Sequence, residues 1–224
     1  MKKSNQILLG GFIVVIVLIT AIHISLYAKY KSGQYTIYKP QEKTEVKGME
    51  QFPGVRKVTL VTLQHVQIQF AEQAAVQKGR DGVRYQLYGD SLVISGGPHQ
   101  QHPLYITIPV AVTIRSVGSM LQFEKGKLMT LPGASIYLDS SIAVFGEADK
   151  SIHLQNVQIV ATNHSLASFA DSSTVQNLEV LLKKSSLECL RADAATLSII
   201  TDSLSGISLQ AKLLLKAKIT TTPD

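Results

Sequence analysis

The residues most able to do chemistry in this chain are few, and they are scattered. His99-Gln100-Gln101-His102 sits beside Gly96-Gly97-Pro98, and its spacing could bring two imidazoles to one metal. Zinc needs three or four ligands, and no Cys, Asp or Glu lies close by in sequence, so the segment reads as a solvated loop. Asp139, Glu147 and Asp149 are carboxylates at turns. Grouped on one face, such acids could bind calcium or act as acid and base, which takes a separation of about 5–10 Å. Acids at turns also serve purely conformational ends. The single cysteine, Cys189, excludes an intrachain disulfide, and between Leu187 and Leu190 it reads as a small core hydrophobe rather than a nucleophile. His65 falls on the polar side of an alternating strand and reads as solvated. Ser165, Ser168, Ser172, Ser173 and Thr174 read as a polar turn ladder. No GxSxG, P-loop, HExxH or GxGxxG motif is present. These patterns predict a protein that is not an enzyme, with no catalytic, cofactor or metal-binding residues.

The elements that position these residues are strands. Four segments open alike: Ser141-Ile142-Ala143-Val144-Phe145, Ser165-Leu166-Ala167-Ser168-Phe169, Ser186-Leu187-Glu188-Cys189-Leu190 and Ser203-Leu204-Ser205-Gly206-Ile207. Their starts lie 24, 21 and 17 residues apart, with a second apolar run between each pair. One such unit cannot bury its apolar face alone, so the recurrence predicts a β-helix-like solenoid of short strands with degenerate rungs. Upstream, Val66, Ile68 and Phe70 alternate with polar partners, as a strand with one buried face does. Tyr85–Tyr88, Gly89-Asp90 and Leu92–Ile94 read as a hairpin. Leu104–Val117 reads as two strands broken at Pro109. Ala71–Gln77 could form one helical turn before Gly79 stops it. Leu213–Leu215 with Ile219 reads as an apolar last strand, bracketed by lysines that discourage end-to-end stacking into filaments.

The amino terminus has a different character. Residues 1–6 form a short tail, and residues 7–28 carry no formal charge and are rich in Ile, Val and Leu. That length crosses a hydrocarbon core of about 30 Å, which predicts a transmembrane signal anchor. Leu26-Tyr27-Ala28 has a bulky residue where a cleavage motif wants a small one, which favours an uncleaved anchor. His23, near the far end of this span, reads as a neutral imidazole at the interface. Four lysines follow the span closely against two before it, which leans toward a cytoplasmic carboxyl domain. A short amino terminus before a long apolar segment is the usual form of an export signal, and this favours an extracytoplasmic one. The expected organisation is therefore a linker over 29–51 and an exported solenoid over 52–220, in a single-pass membrane protein whose helix contacts lipid.

Charge narrows the partners. Residues 1–57 hold nine Lys/Arg against three Glu, while residues 58–224 hold thirteen basic and thirteen acidic residues. The entire net charge of +6 thus lies outside the repeats. A nucleic-acid binder concentrates basic charge on the domain that reads the nucleic acid, so no nucleic-acid partner is expected.

Phe52-Pro53-Gly54-Val55-Arg56-Lys57-Val58, leading into the alternating strand, resembles the opening of the GIN-domain family of autotransporter adhesin heads. So do Tyr88-Gly89-Asp90-Ser91-Leu92-Val93-Ile94, Leu104–Pro109, Val112-Thr113-Ile114 and the turn Ser116–Ser119. The resemblance covers about residues 52–215 and implies a β-helix-like stack behind an export signal in Bacteroidetes-type bacteria. It brings no catalytic residues with it. Family repeats usually turn at Gly-Ser-Gly, whereas this chain has Asp139-Ser140-Ser141, Asn163-His164-Ser165 and Asp202-Ser203. Asn and Asp tolerate the left-handed backbone such turns need. The function expected is a non-enzymatic binding, adhesion or envelope-structural surface for a glycan or envelope protein. The alternatives are a membrane-tethered polymerising scaffold of bactofilin-like type, or a surface polysaccharide lyase or hydrolase.

Overall fold

The computed structural model describes residues 3–31, 48–80, 82–97, 100, 102–109, 111–124, 133–146, 152–170, 173–190 and 192–222. The chain divides into two units, Met1–Glu45 and Val46–Asp224. In the first, helix α1 runs over Lys3–Lys31. The predicted transmembrane segment lies inside it, yet among the described residues no helix is long and apolar enough to cross a membrane. This overturns the expected single-pass membrane placement, and with it the extracytoplasmic assignment that was built on the anchor.

The second unit is a β-solenoid. Its first strands are β1 (Met49–Phe52), β2 (Lys57–Val61), β3 (Val66–Ala71), β4 (Ala74–Gln77), β5 (Arg84–Tyr88), β6 (Ser91–Ser95) and β7 (Leu104–Pro109). Then come β8 (Thr113–Val117), β9 (Met120–Glu124), β10 (Ala134–Asp139), β11 (Ile142–Phe145), β12 (His153–Thr162) and β13 (Leu166–Phe169). The last are β14 (Thr174–Lys183), β15 (Ser186–Cys189), β16 (Asp193–Thr201) and β17 (Gly206–Leu209), followed by helix α2 (Ala211–Leu214) and β18 (Ala217–Thr221). They form two sheets, in the orders β1-β4-β7-β3-β9-β11-β13-β15-β17 and β18-β16-β14-β12-β10-β8-β2-β6-β5. From β8 onward each turn of chain adds one long strand to the second sheet and one short strand to the first, all in parallel register.

The first turns are threaded out of order. β6 and β7 stack on one side of β2 and β3, and β8 and β9 stack on the other. The chain therefore passes the first turn between Pro109 and Thr113, where Ala111 has a left-handed φ of 70°. The predicted hairpin is present as β5 and β6, paired antiparallel, and the predicted break at Pro109 separates β7 from β8. Two expectations change. Ala71–Gln77 contains strand β4, because it pairs with both β1 and β7 and those ladder bonds override its alanine-rich helix propensity. Strand β1 also brings the solenoid forward to Met49, inside the expected linker.

Inward residues of both sheets make one core. Along its axis Phe70, Phe123, Phe145 and Phe169 stack in a column, with centroids 5.9, 4.6 and 4.5 Å apart. Cys189 takes the next place in that column and is buried. Burial pushes its thiol up to about 12. A thiol so placed should be unreactive toward a disulfide reagent at pH 8 in the native protein and react fully once unfolded in guanidinium. Rapid native labelling would show that the column is open at this end.

A second column is polar. The backbone N–H groups of Leu63, Ser119, Ser141, Ser165 and Ser185 each donate to the serine Oγ of the next turn, at 3.0 to 3.2 Å, ending on Ser205. The serines that recur are therefore 119, 141, 165, 185 and 205, spaced 22, 24, 20 and 20 residues apart. The predicted register used Ser186 and Ser203, and the apparent shrinking of the repeat came from that choice. The left-handed turn residues precede the ladder: Gly118, Ser140, Asn163, His164 and Lys184. Asp139 and Asp202 serve the turns as acceptors instead. Asp139 Oδ1 takes a bond from Asn163 Nδ2 at 2.8 Å. Asp202 accepts from the Lys184 and Leu204 amides and from Ser205 Oγ. Those bonds, led by Ser205, hold its carboxyl below the usual range.

At the carboxyl end, Leu213 and Leu214 belong to α2 rather than to the predicted last strand, and β18 alone continues the second sheet. Leu213 turns into the core while Leu215 is 90% exposed.

Candidate functional site

The outer face of the long-strand sheet carries a groove. In β12 the in–out alternation breaks, because Gln155 and Asn156 follow one another facing outward. The same happens at Gln176-Asn177 in β14 and Ala195-Thr196 in β16. Two consecutive outward residues turn the strand, so the three pairs stack into a corner. Its edge is bonded from turn to turn: Asn177 Nδ2 donates to Asn156 Oδ1 at 2.6 Å, and Thr196 Oγ1 donates to Asn177 Oδ1 at 2.7 Å.

Beside this edge lies a groove of about 840 Å³, reaching from Ala111 and Gly133 to Lys216 and Lys218. Its floor is a row in register, Ser135, Gln158, Glu179, Ser198 and Lys218, one side chain per turn. Two residues along each strand a second row faces the same way: Tyr137, Val160, Leu181 and Ile200. Tyr137 and Ile200 are each 41% exposed. Glu179 is the one carboxylate among the described lining residues. Lys216 is turned toward Asp193, 3.5 Å from its Oδ1. The Lys212 hydrogen bond, with the charges of both lysines, holds Asp193 below the usual carboxylate range. Across the corner a shallower depression of about 390 Å³ includes His153, whose Nδ1 lies 2.5 Å from Thr174 Oγ1.

The candidates singled out in the sequence are not brought together here. His99, Gln101, Glu147, Asp149 and Ser172 lie outside the described residues. His102 is exposed, while Gln100 is buried as a pin of its loop. Gln100 Oε1 accepts from the Gln64 amide at 3.0 Å, and its Nε2 donates to the His65 carbonyl at 2.8 Å. His65 is half-buried rather than solvated, and its Nε2 and Gln67 Oε1 are enclosed without a hydrogen-bond partner. The Gln100 side chain closes on the His65 carbonyl, which removes part of the exposure that the alternating strand implied. Asp139 is occupied in its turn. Ser165 and Ser173 are buried and bonded to neighbouring turns. His23 in α1 is bonded to the Ile19 carbonyl of its own helix. Among the described residues no three His, Cys, Asp or Glu side chains are grouped to hold a metal. The groove escaped sequence reasoning because each of its residues is an ordinary polar strand residue. The one signal was the doubled outward position recurring every 19 to 21 residues, at 156, 177 and 196.

No family model matches the chain, and no curated protein matches it. Two solved structures are similar. One is a "putative lipid binding protein" from Parabacteroides distasonis, 10% identical, covering 79% of this chain and 94% of its own, with a TM-score of 0.33. The other is a "putative cell adhesion protein" from Clostridium sporogenes, 11% identical, covering 72% of this chain and 97% of its own, with a TM-score of 0.28. Similarity at this level defines neither a shared fold nor a shared function.

Proposed function

We propose that this chain is a non-enzymatic binding module of adhesion type, with the outer face of the long-strand sheet as its ligand surface and a glycan or an envelope protein as its ligand. The observation that carries this reading is the groove itself: a continuous polar floor, repeated turn by turn, beside an apolar row on the same rigid face. Rigid side chains in register lose little freedom on binding, which favours recognition of an extended partner. The reading as a polysaccharide hydrolase has less support, because glycoside hydrolysis takes two carboxyls about 5–10 Å apart and the described lining of the groove offers Glu179 alone.

Incubating the purified full chain with immobilised envelope polysaccharides and envelope proteins tests the proposal. Saturable binding that leaves the length of the ligand unchanged is the expected outcome. Release of new reducing ends or of unsaturated products, with turnover, would overturn it.

A further inference from the structure

We infer that the ligand of this face is an extended, uncharged polysaccharide that lies along the stack, across the strands; this deepens the binding-module reading and rests on it. Three observations converge. The first concerns the backbone. The strands that form the face, from β8 to β16, are each paired on both sides. They present no free ladder groups, so a peptide cannot be bound there as an added strand. Recognition falls to side chains, and apart from Glu179, Lys218 and Ala195 those on the floor and edge are amides and hydroxyls such as Gln158, Asn177 and Ser198, each both donor and acceptor. Sugar hydroxyls have the same dual character.

The second observation is the apolar row. Tyr137, Val160, Leu181 and Ile200 run parallel to the polar floor at one residue per turn. A polymer of pyranose rings has hydroxyl edges and C–H faces in the same side-by-side order, and it repeats along its length as the solenoid does, at about 4.8 Å per turn. The third is charge. Glu179 stands in the middle of the groove, Lys218 stands at one end, Arg115 stands at the β8 end of the face in register with Tyr137, and Lys216 is held by Asp193. A polyanion would meet the Glu179 carboxylate at mid-length, whereas a neutral chain has no charge to match.

Titration calorimetry of the full chain with cello- and chito-oligosaccharides, from disaccharide to octasaccharide, tests this, with polygalacturonate as the anionic comparison. The expected result is saturable binding to a neutral series, with affinity rising with length until the groove is spanned and level beyond. Gln158→Ala with Glu179→Ala, and separately Tyr137→Ser with Ile200→Ser, should each weaken binding about tenfold or more. Ser208→Ala, on the outward side of the other sheet, should leave it unchanged, and thermal melts should show all three variants folded. If a variant is destabilised, the length dependence of the unmodified chain still decides the matter. Tighter binding of polygalacturonate, or affinity indifferent to chain length, would overturn the inference. Capture of envelope proteins with no neutral glycan bound at millimolar concentration would overturn it while leaving the binding-module reading standing. Binding of neither class would remove both.

Discussion

Replacing Phe145 with alanine should destabilise the protein by about 3–5 kcal/mol. The side chain is 1% exposed and sits between Phe123 at 4.6 Å and Phe169 at 4.5 Å. Truncation removes its burial, leaves a cavity on the solenoid axis and breaks two ring contacts, each worth about 0.5–1.5 kcal/mol beyond area. A rung cannot close over such a gap, because its height is set by the ladder bonds on either side. Phe145→Leu keeps much of the volume and should cost markedly less. Urea unfolding followed by circular dichroism measures both. A Phe145→Ala loss below about 1 kcal/mol would show that the column is not consolidated.

Ser141→Val should cost at least about 2 kcal/mol, because it replaces the buried hydroxyl with two methyl groups that can neither accept nor donate a hydrogen bond. Ser141 Oγ accepts from the Ser119 amide at 3.2 Å and from Ser116 Oγ at 3.0 Å, and donates to the Asp139 carbonyl at 2.8 Å. Valine leaves two buried donors without an acceptor, each worth about 1–3 kcal/mol. The surface exchange Ser208→Ala should stay within about 0.5 kcal/mol. Equal midpoints for Ser141→Val and Ser208→Ala in the same urea titration would contradict the serine ladder as a structural element.

These two columns also explain what could be read in the chain beforehand and what could not. Alternation at Val66, Ile68 and Phe70 and the recurring Ser-apolar openings made the solenoid legible, because burial on one face of a strand writes a period of two. The register of the later turns was not legible. Ser185-Ser186 and Ser203-Leu204-Ser205 each offer two serines, and only the bond from turn to turn selects Ser185 and Ser205. The left-handed turn position fell on Ser140, His164 and Lys184 as well as Asn163, since tertiary pairing imposes the conformation whatever the residue.

Ala74–Gln77 and Leu213-Leu214 exchanged their expected types for a related reason. Four-residue segments take the structure their neighbours offer, a sheet edge in one case and the end of the stack in the other. The groove was least legible of all. Gln158, Glu179 and Ser198 are unremarkable in their own strands, and they become a surface only when residues about twenty apart are superposed.

The two sheets provide their own control for the central claim, that the long-strand face is the binding surface. Each has exposed, oxidisable side chains: Tyr137 and Ile200 at 41% on that face, Met120 at 37% and Ile142 at 39% on the other. Hydroxyl-radical footprinting of the full chain, alone and saturated with a ligand retained in the binding screen, reports on both faces in one experiment. The account predicts protection of Tyr137, Leu181 and Ile200 with Met120 and Ile142 unchanged. Protection of Met120 and Ile142 with Tyr137 and Ile200 still oxidised would contradict it.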